Sequence, residues 1–421
     1  MSPARGQEQA LLPYPLTGPA ALEPPTEWVE LHRRCPVARV ALPSGDEAAL
    51  LTRYADVRLA LSDPRLSREG ATSPDAARVA DGESSVFTSP MAQTLNAEGH
   101  ERWRRMLGRW FTAKRMRALR PAMEATADRL VDAMVEQGRP ADLVEHLAFP
   151  LPVYVICSML GVPESDRDEF KLWSDTFLST TRYTPDEVAA AYRAFESYMS
   201  GLIADKRTTP AGQAVAGQAV AEEEQDLLTL LISATDAEGR PMSDAALTAT
   251  GQALLIAGHE TTAGFIAKML AHLLSDRPGR WERLLADPSL VRPAVEEALR
   301  FDPNGSAFGM VRYVHEDIEV GGTVVPRGTT VVCSMAAANR DTDAFDHADE
   351  MDVARTPNPH LTFGAGPHSC LGQPLARTEM QTVLSVLLRR LPGLELAVDA
   401  SELEQVEGLL TRPLRELPVR W

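Results

Sequence analysis

The stretch Phe363-Gly364-Ala365-Gly366-Pro367-His368-Ser369-Cys370-Leu371-Gly372 presents one thiol in a glycine-rich turn. Leu375, Met380, Val383, Leu384 and Leu387 recur at helical spacing directly behind it, so the turn opens a long helix. A cysteine there meets unpaired backbone N–H groups and the positive end of a helix dipole, which favour thiolate over thiol. Such a residue suits a metal ligand or a nucleophile.

A second stretch, Ala257-Gly258-His259-Glu260-Thr261-Thr262, carries an acid and two hydroxyls through the middle of a helical segment, residues 243–275, that is apolar on both sides. Polar groups taken into an interior are costly unless they have partners or a task. The stretch begins like the zinc helix HExxH, but Ala263 stands where the second histidine must be. Gly364-Ala-Gly366 likewise starts like a dinucleotide loop and lacks its third glycine. Further on, Glu297 and Arg300 lie three apart on one helical face, a spacing that by itself marks an ordinary surface pair.

The elements that must position these residues are mostly helices. Residues 36–42 and 48–52 predict a hairpin, and alternating runs between 310 and 332 predict a small sheet; 394–398 and 414–420 are expected as edge strands. Residues 69–98 are expected as a long loop near a ligand. Residues 99–120 form a basic segment with Arg102, Arg104, Arg105, Arg109, Lys114, Arg115, Arg117 and Arg120 against Glu101 alone. That charge run reads as a solvated helix face or as a surface for anionic groups. Residues 1–25 are proline-rich and irregular. In 208–224 Ala-Gly-Gln-Ala-Val occurs twice in tandem, which suits a flexible insertion.

The net charge is −17, which disfavours nucleic acid as the main partner. The four cysteines, Cys35, Cys157, Cys333 and Cys370, are scattered without a CxxC pair, so a disulfide scaffold or zinc knuckle is not indicated and a reducing cytoplasm fits. The most apolar segment, 147–162, is broken by Pro150 and Pro152 and falls short of the roughly 20 residues a spanning helix needs. No membrane anchor is expected.

Together these pieces resemble the cytochrome P450 family of haem-thiolate monooxygenases, in its soluble bacterial, actinobacterial branch. Phe363 to Gly372 meets the family's thiolate motif at every fixed position, Ala257 to Thr262 meets its oxygen-helix motif, and Glu297 with Arg300 meets its ExxR pair. Asn339-Arg340-Asp341 matches a further short signature. The resemblance covers roughly residues 30–421 and implies one domain over 1–421: mainly α, a large helical body with a small β-rich lobe.

The resemblance also implies roles. Cys370 would ligate the iron of haem b, iron protoporphyrin IX, with Phe363, Gly364, Gly372, Ala257 and Gly258 lining the cofactor, and Gly364 and Gly366 letting the turn lie against the porphyrin. His100, Arg104, Arg312 and His368 would meet its propionates, and Glu260 and Thr261 would organise water and protons on the oxygen side, Thr262 being the lesser hydroxyl. Glu297 and Arg300 would brace the 339–359 meander, with Arg340 as third partner. Arg109, Lys114 and Arg115 would face an acidic ferredoxin. Substrate would lie along 84–98, 175–200, Ile256, Ala257, 308–311 and the turn at Leu409 and Leu410. The implied activity inserts one oxygen atom from O2 into a C–H or C=C bond of a small organic substrate, a secondary metabolite such as a polyketide. Electrons would come from NAD(P)H through a ferredoxin reductase and ferredoxin, to a monomer. Two alternatives stay open: the same chemistry ending in desaturation, ring closure or oxidative coupling, and a haem-binding sensor or scaffold. The basic helix departs from the family in its entry, Asn96-Ala-Glu-Gly-His100.

Overall fold

A computed structural model of the chain describes residues 11–79, 89–178, 182–208, 225–302 and 308–421. The segment 208–224, expected as a flexible insertion, lies outside them apart from Thr208. In chain order the strands are β1 (Leu12–Pro13), β2 (Ala38–Ala41), β3 (Glu47–Leu51), β4 (Leu66–Ser67), β5 (Ala141–Asp142), β6 (Met310–Val314), β7 (Ile318–Val320), β8 (Thr323–Val325), β9 (Thr330–Cys333), β10 (Glu395–Leu396) and β11 (Pro418–Arg420). The helices are α1 (Glu27–Arg34), α2 (Tyr54–Ser62), α3 (Pro90–Glu98), α4 (His100–Gly108), α5 (Ala113–Gln137), α6 (Pro150–Leu160) and α7 (Arg167–Phe177). They continue as α8 (Pro185–Thr208), α9 (Leu227–Ser233), α10 (Asp244–Ser275), α11 (Glu282–Ala286), α12 (Val291–Phe301), α13 (Met335–Ala338) and α14 (Gln373–Arg390).

The predicted hairpin is present, with Val40 opposite Ala48, and β3 continues in parallel onto β9 (Leu50 opposite Val332). The lobe is a six-stranded sheet in the order β1-β2-β3-β9-β6-β4. Its Leu51, Val314 and Val331 pack with Val57 and Leu61 of α2 into a small apolar core of their own. β11 is not an edge strand: it sits between β10 and β5 in a separate three-stranded sheet, because Ala141 and Asp142 pair with its free side.

The helical body is built around α10, 32 residues long, whose start is capped by the Ser243 hydroxyl accepting from the Ala246 N–H. α10 packs against α3, α6, α8, α12 and α14, and almost every side chain along it is buried. Gly251 and Gly258 permit two of these approaches, since a Cβ on Gly251 would lie 2.5 Å from Met199 Sδ of α8 and one on Gly258 would lie 2.9 Å from the Ile156 side chain of α6. Two expectations are corrected here. The stretch 69–98 is not one loop: Pro90–Glu98 is helical, started by Ser89 and by a proline at a position where a missing N–H costs nothing. The basic segment 99–120 is two helices, broken at residues 109–112, where the Thr112 hydroxyl accepts from the Arg115 N–H and so starts α5 anew.

Candidate functional site

Along the otherwise buried α10, Ala253, Gly258 and Thr261 are partly open and Ala257 is exposed. Their spacing puts them in one stripe of the helix. Thr261 donates its hydroxyl to the Ala257 carbonyl at 2.9 Å, leaving its oxygen on that stripe. Glu260 leaves the helix about 100° away; it is buried, with its carboxylate 4.0 Å from His259 Nε2. The predicted acid and alcohol are thus adjacent in sequence but are turned to different surroundings.

Cys370 is exposed although protein surrounds it densely, as expected of a side chain facing an internal gap. Its N–H donates to the Phe363 carbonyl at 2.7 Å, which closes the turn. Gly364 and Gly366 both have φ of +70°, the left-handed conformation that glycine adopts without strain. Gly366 is tied to α2, not to an open face: a Cβ there would meet the Leu61 carbonyl oxygen at 2.7 Å. Gly372 caps α14, and the Arg377 guanidinium stacks 4.5 Å over the Phe363 ring. Burial raises the Cys370 thiol above its ordinary value, and the N–H groups of Gly372 and Gln373, with Arg104 and Arg377, pull it back only in part. The expected helix-start effect is real but loses to desolvation, so a cation bound to this sulfur would favour the thiolate that burial opposes.

Beside the sulfur, basic side chains converge. Arg104 donates to the Ser369 carbonyl at 2.6 Å and to its hydroxyl at 3.1 Å. The His100 and His368 rings lie 3.9 Å apart, tilted by 33°. Burial, together with His100 and Arg312, pushes His368 down to about 4, so it is neutral at pH 7. Arg312 on β6 is buried, and its only hydrogen bond among the described residues runs to the Val311 carbonyl at 2.9 Å. Arg68 joins them, although no motif marks it in the sequence. Pairing of Ser67 with Tyr313 carries it toward Arg312, and the two guanidiniums repel. Glu69 offsets this group most directly, 3.7 Å from His368 Nε2, and Glu101 acts on His100 from farther out. A gap with a thiol on one wall and this much unmatched positive charge beside it fits a flat group that carries two carboxylates and brings a metal to the sulfur.

The pair Glu297 and Arg300 is fully buried and bidentate, at 2.8 Å on both contacts. Arg300 also reaches the carbonyls of Asn339, Ala348 and Glu350. The expected third partner is corrected: Arg355 donates to Glu297 at 3.1 Å, while Arg340 turns to the Phe301 carbonyl at 2.7 Å.

The family model described as Cytochrome P450 matches residues 68–287 and 282–414. Nocardicin C N-oxygenase of Nocardia uniformis subsp. tsuyamanensis is 42% identical over 414 residues, 97% of this chain and 98% of that protein. Mycinamicin IV hydroxylase/epoxidase of Micromonospora griseorubida is 40% identical over 408 residues, 97% of this chain and 98% of that one. The solved structure of the mixed-function P450 MycG superposes with a TM-score of 0.84 at 39% identity, covering 98% of this chain and all of its own. The chain belongs to the cytochrome P450 family and is a haem-iron monooxygenase, an oxidoreductase that uses O2, an organic substrate and electrons from a redox partner.

Proposed function

We propose that this chain, acting as one unit over 1–421, holds haem b between α10 and the Cys370 turn and inserts one oxygen atom into a C–H or C=C bond of a secondary metabolite. The carrying observation is the group Arg68, His100, Arg104, Arg312 and His368 beside an exposed thiol, with Glu69 as its nearest offsetting carboxylate among the described residues. Two propionates supply the missing negative charge. Cys370 would hold the iron through its sulfur, Phe363, Gly364 and Gly372 would shape its loop, and Ala257 and Gly258 would line the cofactor from α10. When bound, the haem supplies the oxygen-activating redox chemistry, which a thiolate ligand favours by donating electron density.

The protein's own part is positional. Thr261, with Oγ1 on the open stripe of α10, passes protons to the oxygen side, and Glu260 behind it feeds that hydroxyl through a side-chain rotation. Substrate enters along α3, α8 and α10, where a cavity of about 150 Å³ is lined by Thr94, Tyr192, Glu196, Thr248 and Gln252. That lining agrees with the 84–98 and 175–200 parts of the expected substrate wall, and does not include 308–311 or Leu409. Relatives named for oxidising nocardicin C and mycinamicin IV support a secondary-metabolite substrate such as a polyketide. An acidic ferredoxin and its NAD(P)H-dependent reductase deliver the electrons to a monomer in the cytoplasm. No helix among the described residues is long and apolar enough to cross a membrane.

The deciding experiment is the spectrum of the reduced, CO-bound protein. A red-shifted thiolate Soret band is expected, and its loss in Cys370→Ala; an unshifted band in the unaltered protein would overturn the assignment. Thr261→Ala should keep NAD(P)H consumption while lowering product per NAD(P)H about tenfold or more, within the usual range for a lost proton donor. Unchanged coupling would place the relay elsewhere.

A further inference from the structure

On the far part of α10, two turns beyond Thr261, lies a cavity that the monooxygenase reaction does not use. It has a volume of about 50 Å³ and sits beneath the proline-rich segment 16–28, whose Trp28 lines it. The segment is latched there by Gln405, which donates its side-chain amide to the Ala21 carbonyl. Three cations line this space: Lys268 from α10, Arg340 after α13, and Arg412 from the chain's last irregular stretch.

Their counter-charges are few. Asp302 spends one oxygen on Lys268 Nζ at 2.9 Å and the other on His272 Nε2 at 3.1 Å. Burial opposes that carboxylate, but Lys268 and His272 hold it ionised, while burial keeps His272 neutral. Arg340 uses its Nε on the Phe301 carbonyl and lays its guanidinium 3.5 Å over the Phe301 ring. No hydrogen bond of its terminal nitrogens is found among the described residues, and burial pushes this arginine down to about 10. Arg412 has no hydrogen bond and no ion pair among the described residues. Burial pushes it down as well, with Tyr14, Asp302 and Glu407 acting on it only through space. Glu23 at the rim is exposed.

A guanidinium cannot shed its charge, so a half-buried arginine with all its donors unused is costly unless something accepts from them. Two arginines lining one small space, with terminal nitrogens that have no hydrogen bond among the described residues, favour an acceptor with two or three oxygens in a plane or tetrahedron. We propose that this cavity binds one small oxyanion or carboxylate between Arg340 and Arg412, and that the bound anion pins the N-terminal segment to α10. The volume admits a group of a few heavy atoms, such as acetate, nitrate or phosphate.

The test is thermal unfolding of the haem-loaded protein while phosphate or acetate replaces a bulky sulfonate at constant ionic strength. A saturable rise in Tm of about 2 °C or more is expected with at least one of them, and its loss in Arg412→Gln. A response to phosphate alone identifies a free inorganic anion, and a response to acetate an organic carboxylate; either supports the site. Equal responses in both proteins, or none in the unaltered one, would mean that the cavity holds only water and would overturn it. Should Arg412→Gln fail to fold, crystals of the unaltered protein grown with selenate decide. Anomalous density between the two guanidiniums supports the site, and water alone there refutes it.

Discussion

Arg355 reaches Glu297 across 58 residues of sequence, its Nε donating to Oε1 at 3.1 Å. Glu297 thereby accepts from Arg300, Arg355, the Asp352 N–H and the Asn358 side-chain amide, all in a fully buried position. One carboxylate therefore orders the irregular meander that leads to the Cys370 turn. Removing it strands two arginines, so Glu297→Ala should destabilise the haem-loaded protein by about 3–5 kcal/mol in urea unfolding. Arg355→Ala leaves Glu297 with its other donors and should cost about 1–3 kcal/mol. Arg340→Ala should leave the Glu297 contacts intact, seen as an undisturbed 339–359 backbone in a crystal structure of that variant. A rearranged meander there, with none in Arg355→Ala, would restore Arg340 as the partner.

That network separates what the amino-acid sequence makes legible from what only folding brings together. Cys370, Ala257 to Thr262, Glu297 and Arg300 sit in short motifs on regular helices or tight turns, where local spacing carries the information. The helix α10 and the β2–β3 hairpin follow from periodicity for the same reason. Arg355 and Arg68 lie in segments without periodicity. Each gains its place from a partner far away in the chain, Glu297 for the one and the β4–β6 pairing for the other. The break at 109–112 is also hidden in the sequence, because a charge run looks alike whether it covers one helix or two. Burial is the other unreadable quantity: it makes His368 neutral and raises the Cys370 thiol, neither of which spacing can show.

Glu379 is a further case, an acid on α14 that is fully buried and has no hydrogen-bond partner for either oxygen among the described residues. Thr262 is its polar neighbour but lies outside hydrogen-bonding geometry. Burial raises this carboxyl well above its ordinary 4.5, so the folded protein keeps the proton to a higher pH than the unfolded chain does. The unfolded chain loses that proton above about 4.5 and gains stability from doing so, whereas the folded chain does not. Stability contributed at Glu379 is therefore full below pH 4.5 and drains away as pH rises toward the folded value. Glu379→Gln cannot titrate, so the stability of the unaltered protein relative to Glu379→Gln should fall by about 1.4 kcal/mol per pH unit above 4.5. Urea midpoints of the two proteins from pH 5 to 8 measure this, and parallel profiles would show that Glu379 ionises normally.

The start of α5 carries the last consequence. Arg109 and Lys114 are exposed, and Arg109 and Arg115 stack over the Trp110 ring at 4.9 and 4.1 Å, which holds both guanidiniums at the break between α4 and α5. α5 packs along α14, and Arg104 on α4 is bonded to Ser369, so this basic face adjoins the Cys370 turn on a protein that is acidic elsewhere. An acidic redox protein docking here would be steered by charge, raising the on-rate in a salt-dependent way. Lys114→Glu combined with Arg109→Glu should raise the KM for an acidic ferredoxin about tenfold and flatten its dependence on ionic strength. The CO-bound spectrum and reduction by dithionite should stay unchanged, because both side chains are exposed at the break between α4 and α5. If KM holds while reduction by dithionite slows, the two residues support the haem site itself and the electron donor docks on another face.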